Sequence, residues 1–239
     1  MSNFNLGFVW IFIAKHLKIS LICLIFIPIL WGCKGGTSNG KAISEGIIEF
    51  EAAAVDPNNP MADLAPSKMV EKFKDHKIVY EMSAGMGLMN MSIVSDYGNK
   101  TVTQLIKLLN TKRTAITNAD EIQKEIANSK MKIQKTNETK VIVGYKCKRA
   151  IISYENDSHP PFDVYYTDEM EVEKPNWSNG YNEIDGVLME FQLKRYGLEL
   201  RFTARKVTKS TIEDSDFETP GDYKVISQKE LEDLFAGMQ

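Results

Sequence analysis

Residues 186–207 read GVLMEFQLKRYGLELRFTARKV, and their alternation decides the fold. Val187, Met189, Phe191 and Leu193 point one way, and Glu190, Gln192 and Lys194 the other. After a turn at Tyr196-Gly197, Leu198, Leu200, Phe202 and Ala204 share a face opposed by Glu199, Arg201, Thr203 and Arg205. Period-two patterning with one apolar side marks an antiparallel hairpin that buries one face and wets the other.

The same signal recurs outward from this hairpin. Gly46 to Ala53 alternates, with Ile48, Phe50 and Ala52 against Glu49 and Glu51. Ile78 to Ala84 and Leu88 to Val94 flank Gly85-Met86-Gly87, and Tyr97-Gly98-Asn99-Lys100 turns into Thr101 to Leu109. Further strands are expected at 113–117, 132–136, 139–154 and 162–167, with a turn at Asn137-Glu138. Pro66 with Met69, Val70 and Phe73 predicts a short helix over 66–75. Asn118 with Glu121, and Ser227 with Glu230, are capping boxes that open two more helices. About ten strands and three short helices imply a mainly β (α+β) domain. The expected form is a curved antiparallel sheet, a half-open barrel with the helices on its concave side.

The N-terminus carries a different message. An apolar run, Ile19 to Trp31, follows the basic stretch Lys15-His16-Leu17-Lys18 and ends at Gly32-Cys33. Its 13 residues fall short of the roughly 20 that a membrane-spanning helix needs. A basic region, an apolar core and a small residue before the cut make a secretory signal. With Leu30, Gly32 and Cys33 in place, it resembles a bacterial lipoprotein signal. That resemblance implies cleavage before Cys33 and a diacylglyceryl group on its thiol. The expected organisation is a signal peptide at 1–32, a lipidated tether at 33–44 and one domain at 45–239. Two acyl chains anchor stably where one does not.

Composition narrows the classes of function. Residues 33–239 hold 27 basic and 32 acidic side chains, a mildly acidic balance that disfavours nucleic-acid binding. Cys147 has no disulfide partner if Cys33 is acylated, and reads as a small buried hydrophobe. The segment has two histidines, His76 and His159, no Gly-x-Ser-x-Gly elbow and no Gly-rich phosphate loop. These features point away from a hydrolase, a metal site and a nucleotide cofactor. The acids at Asp168, Glu169 and Glu171, and at Glu213, Asp214 and Asp216, sit in polar loops and read as solvated charge.

Met82, Met86, Met89 and Met91 fall within ten residues. Clustered thioethers can bind Cu(I). Here Met89, Met91 and Ile93 alternate as a strand face, which marks core or cavity wall instead. Methionine surfaces adapt to varied apolar shapes. The expected ligand-binding residues are therefore Met82, Met89, Met91, Met189, Phe191 and Phe202, with no catalytic and no metal residues. An alternative is an interaction module without a cavity, using Trp177 and Tyr181 in the polar loop 171–185 to contact a protein or glycan.

Val141-Ile142-Val143-Gly144-Tyr145-Lys146-Cys147-Lys148-Arg149-Ala150, then Val164 to Glu169, then Gly186 to Glu190, form a series. It resembles uncharacterised bacterial envelope proteins related to the family named for its GLPGLI motif. Tyr166 stands where those proteins commonly have tryptophan, and Gly186-Val187-Leu188 departs from the motif. The ending Phe217-x-x-Pro220-x-x-Tyr223 is similar to the tail of outer-membrane lipoprotein carriers and receptors. Those are half-open barrels that hold acyl chains. The resemblance implies a concave face that holds a lipid or lipoprotein ligand, and for Gly144 a backbone role such as a bulge. With the catalytic and cofactor motifs missing, the expected protein is monomeric, non-enzymatic and without cofactor, lipid-anchored at the outer membrane and facing the periplasm.

Overall fold

The computed structural model describes residues 42–155, 159–195 and 197–236. The signal, Cys33 and most of the tether lie outside the described residues. Lys41–Gln239 forms one compact unit. Its strands are β1 (Glu45–Ala54), β2 (Lys68–Lys74), β3 (Lys77–Ala84), β4 (Met89–Asp96), β5 (Thr101–Leu108) and β6 (Thr111–Asn118). They continue as β7 (Met131–Ile142), β8 (Tyr145–Tyr154), β9 (Phe162–Thr167), β10 (Val187–Arg195), β11 (Leu198–Lys209) and β12 (Lys224–Val225). Helix α1 (Ala119–Ser129) follows β6, and α2 (Gln228–Ala236) follows β12.

All twelve strands form one sheet in the order β12-β6-β5-β4-β3-β2-β1-β11-β10-β9-β8-β7. Pairing is antiparallel except for the short β12, which runs parallel to β6. The sheet is open, with β7 and β12 as its edges, so the mainly β, half-open expectation holds.

Residues 66–75 are not a helix. Lys68–Lys74 is β2, paired with β1 and β3, and buries Met69, Glu71 and Phe73 on one face. Glu71 on that face hid the alternation. The expected turn at Asn137-Glu138 is an irregularity inside the continuous strand β7, where the β8 register shifts between Lys135 and Thr139. The chain turns instead at Val143 (φ 51°) and Gly144 (φ 86°). Gly144 thus serves a tight hairpin turn with two left-handed residues rather than a bulge. Both capping boxes form. Asn118 Oδ1 accepts from the Glu121 amide at 3.1 Å, and Ser227 Oγ accepts from the Glu230 amide at 3.2 Å.

The core lies on the concave face. Ile48, Phe50, Phe73, Ala150, Ile152, Val164 and Phe202 belong to it. α1 seats Ile122 beside Val102 of β5, and α2 seats Leu231 and Phe235 on Ile106 and Ala115. On the convex face, residues 210–223 cross the sheet. Ile212 and Phe217 cover Val79, Val94 and Leu105 there. Lys72 Nζ holds Asp216 at 2.7 Å and Lys74 Nζ holds Asp214 at 2.9 Å, fixing the crossing segment.

Candidate functional site

Cross-strand register builds the site. Met82 of β3 pairs with Met91 of β4, and Met91 with Ile106 of β5. One residue pair further along, Tyr80, Ile93 and Gln104 align in the same way. From the other direction, Phe202 of β11 pairs with Phe191 of β10, and Leu200 with Leu193. These two walls enclose an apolar cavity of about 110 Å³, lined by Met82, Met89, Met91, Ile106, Leu193 and Phe202 among others. Phe235 of α2 lines it too, and so do Met61 and Leu64 from the β1–β2 connection.

The cavity measures the curvature. β5 and β10 stand six places apart in the sheet order. At about 4.8 Å per strand, a flat sheet would separate them by roughly 29 Å. That Ile106 and Leu193 line one space requires the sheet to curl toward itself. A second cavity of about 90 Å³ adjoins the first and shares Met82, Ile93, Gln104, Leu193 and Arg195 with it. Tyr80, Phe191 and Ile122 of α1 line this second space.

Of the expected ligand residues, Met82, Met89, Met91 and Phe202 line the larger cavity, and Met82 and Phe191 the smaller. Met189 is fully buried in the core and lines neither. Leu193, Leu198, Arg195 and Phe235 also line the site, and sequence reading did not single them out. Leu193 and Leu198 carried a usable signal in the alternation of the last hairpin. Phe235 carried one as the apolar stripe of α2.

At the end of the sheet nearest the cavity, several hydrophobic side chains reach solvent. Met86 is fully exposed at φ 56° in the β3–β4 connection. Leu64, Leu88 and Leu109 are each about half exposed. The Leu109 amide donates to the Leu88 carbonyl at 2.9 Å, so these two connections touch.

Trp177 and Tyr181 do not form a contact surface. Both are buried, and loop 171–185 folds onto the concave face. The Tyr181 hydroxyl donates to the Gln192 carbonyl, and burial pushes its ionisation well above the ordinary tyrosine range. Asn176 Nδ2 donates to the Ile184 and Gly186 carbonyls at 2.8 Å each, closing the loop at its base. A Cβ on Gly186 would meet the Thr167 carbonyl oxygen at 2.7 Å, so only glycine allows this approach.

The remaining chemistry-bearing groups are paired or buried. Cys147 is buried, and burial pushes its thiol up to about 11, far from a reactive thiolate. His159 Nε2 lies 2.8 Å from Glu199, and His76 Nε2 3.8 Å from Asp96. The hydrogen bond from Lys148 lowers the Asp168 carboxyl, and that from Lys74 lowers Asp214. Among the described residues, no three His, Cys, Asp or Glu side chains are grouped to hold a metal ion. No helix among them is long and apolar enough to cross a membrane. Glu71 is a buried carboxyl without an ion pair among the described residues. It is buried between Ile48 of β1 and Tyr80 of β3, and desolvation raises its carboxyl to about 8.

No family model matches the chain. No curated protein matches it in sequence. Among solved structures, the chain is similar to the crystal structure of MucB, with a TM-score of 0.32 and 8% identity over 78% of this chain. The aligned part spans 61% of the MucB chain, less than two thirds of it. So distant a likeness carries no functional argument.

Proposed function

We propose that this is a non-enzymatic protein of the bacterial cell envelope, anchored through acylated Cys33, that captures an apolar chain in its concave cavity. One observation carries the reading. Two strand walls six places apart in the sheet leave a space between them, and its lining is apolar and rich in methionine.

Capture by such a site is driven by burial, about 0.8 kcal/mol for each methylene removed from water. At about 110 Å³ the larger cavity is below the ~300 Å³ usual for small-molecule sites, so a chain must displace side chains to enter fully. Met82, Met89 and Met91 suit that task, because unbranched thioethers change rotamer at little cost. The exposed apolar tips at Leu64, Met86, Leu88 and Leu109 give an acyl chain a partly dry route toward the cavity. A wider groove outside β3 and β4 mixes the charged Asp63, Lys68 and Glu81 with Met82, Met86 and Met91, so its lining is less uniformly apolar than that of the cavity.

Native mass spectrometry of the full chain, released gently from detergent, tests the proposal. The expected result is an added mass in the fatty-acid or phospholipid range, lost in Met91→Glu. A bare protein mass that stays bare after incubation with lipid would overturn it. Cys33 lipidation is tested separately, by the mass of the N-terminal peptide in the wild-type chain and in Cys33→Ala.

A further inference from the structure

We infer that the captured molecule is an amphiphile with an anionic head, carboxylate or phosphate, and that Arg195 holds that head. The inference rests on the capture reading above and names its ligand class. Among the described residues lining the larger cavity, Arg195 is the charged one, in a wall otherwise built from Met, Leu, Ile, Ala, Phe and a few neutral polar groups. The same side chain lines the smaller cavity and the groove beyond it, so it stands where the three spaces meet.

Position explains why an arginine can sit there. Arg195 ends β10 and pairs with Leu198 across the hairpin, with Leu193 two residues back on the strand. Its aliphatic stem can lie along these leucines while the guanidinium reaches the opening. The side chain is about one-third exposed, so its head is neither sealed in the core nor free in bulk water.

Glu125 of α1 is one of its partners, Nη2 to Oε2 at 3.5 Å. That is well beyond the roughly 2.8 Å of a tight charge-assisted hydrogen bond. The Glu125 side chain is about half exposed, so water can take it over if the pair opens. A planar guanidinium matches a carboxylate or phosphate in two parallel hydrogen bonds. An anionic head can therefore displace Glu125 while its chain runs past Leu193 toward Met82 and Met91. A neutral lipid gains no such exchange. Arg195 also bridges β10 to α1, so head binding would act at the seam between the sheet and its helix.

Photo-crosslinking of the full chain in nanodiscs tests this, with diazirine-tagged dodecanoate, dodecyl phosphate and dodecanol as probes at neutral pH. Labelling is read by mass spectrometry on the peptide carrying Met82, Met89 and Met91. The expected result is labelling by the anionic probes at least about tenfold above the alcohol, since hydrogen bonds to charged groups carry that much discrimination. Arg195→Gln should remove the preference while alcohol labelling persists. Arg195→Lys should restore part of it, and Glu125→Gln should raise it. The ratio of dodecanoate to dodecyl phosphate labelling tells a carboxylate head from a phosphate head. Equal labelling by acid and alcohol in the wild type would overturn the anionic head and leave the cavity reading standing. A preference that survives Arg195→Gln would overturn the assignment to Arg195. No labelling of that peptide by any probe would overturn the cavity reading, and this inference with it.

Discussion

The concave face of the sheet has two halves built from the same alternating pattern, and only one is solid. Over β8, β9 and β10, Ala150, Ile152, Val164 and Met189 are fully buried, and loop 171–185 lays Tyr181 and Ile184 onto them. Over β3, β4 and β5, Met89, Met91 and Ile93 are only partly buried, and the two cavities lie between them and the last hairpin. The difference is in the cover, not the strands. A long loop fills one half, whereas α1 and α2 sit toward β5 and β6 and leave the middle hollow.

Overpacking should separate the halves most sharply. Val164→Phe adds bulk where no space exists and is expected to cost about 3 kcal/mol. Chemical denaturation measures it. A near-neutral result would place unfilled space in the half described as solid.

Glu71 sharpens the contrast, because it is a carboxyl on the closely packed floor between the halves. Its folded pKa, about 8, lies above the ordinary 4.5, so the folded protein holds the proton more tightly than the unfolded chain. The stability it permits is complete below about pH 4.5 and is lost progressively as pH rises toward 8. Glu71→Gln, which cannot ionise, should therefore stabilise the protein by about 3 kcal/mol at pH 7 and have little effect at pH 4.5. Urea midpoints at the two pH values check this. Equal midpoint shifts at both would show that the carboxyl is not held neutral.

A smaller effect is expected on the convex face. Asp216→Ala leaves Lys72 with Glu81 as its carboxylate partner and loosens the crossing segment 210–223, at a cost of about 1 kcal/mol. The loss should shrink in high salt, since part of the interaction is screened. The smallest effect belongs to the hollow half. Leu198→Phe adds bulk beside the cavity and is expected to change stability by less than about 1 kcal/mol while weakening chain capture. A Leu198→Phe penalty equal to that of Val164→Phe would erase the distinction between the halves.

Most strands could be read from the sequence because alternation records which side of a strand meets water. The last hairpin, β9 and both capping boxes follow directly from it. β2 did not, since Glu71 occupies a buried position and Pro66 with Met69, Val70 and Phe73 imitates a helical stripe. The turn at 137–138 was misplaced for a related reason. Asn137 and Glu138 are turn-forming residues, yet the sheet absorbs them as an irregularity within β7, and Val143-Gly144 supplies the reversal.

The candidate site was legible only in part. Alternation put Met82, Met89, Met91, Phe191 and Phe202 on the inner face, and they line the cavities. It put Met189 there as well, where the core is full. A strand pattern states which face a residue takes but not what packs against that face. For the same reason Trp177 and Tyr181, in a segment polar enough to read as an exposed loop, are buried, Tyr181 as cover for the solid half and Trp177 against Val102 and Ile122.

The central claim is that the hollow half, and not the solid half, receives an apolar chain. Methyl NMR of the full chain with 13C-labelled methionine tests it directly, because methionines stand on both sides of the comparison. On titration with dodecanol, the account predicts that the Met82, Met89 and Met91 methyl signals shift together while Met189 stays in place. Unmoved signals at all three, or a shift confined to the solvent-facing Met86, would contradict it.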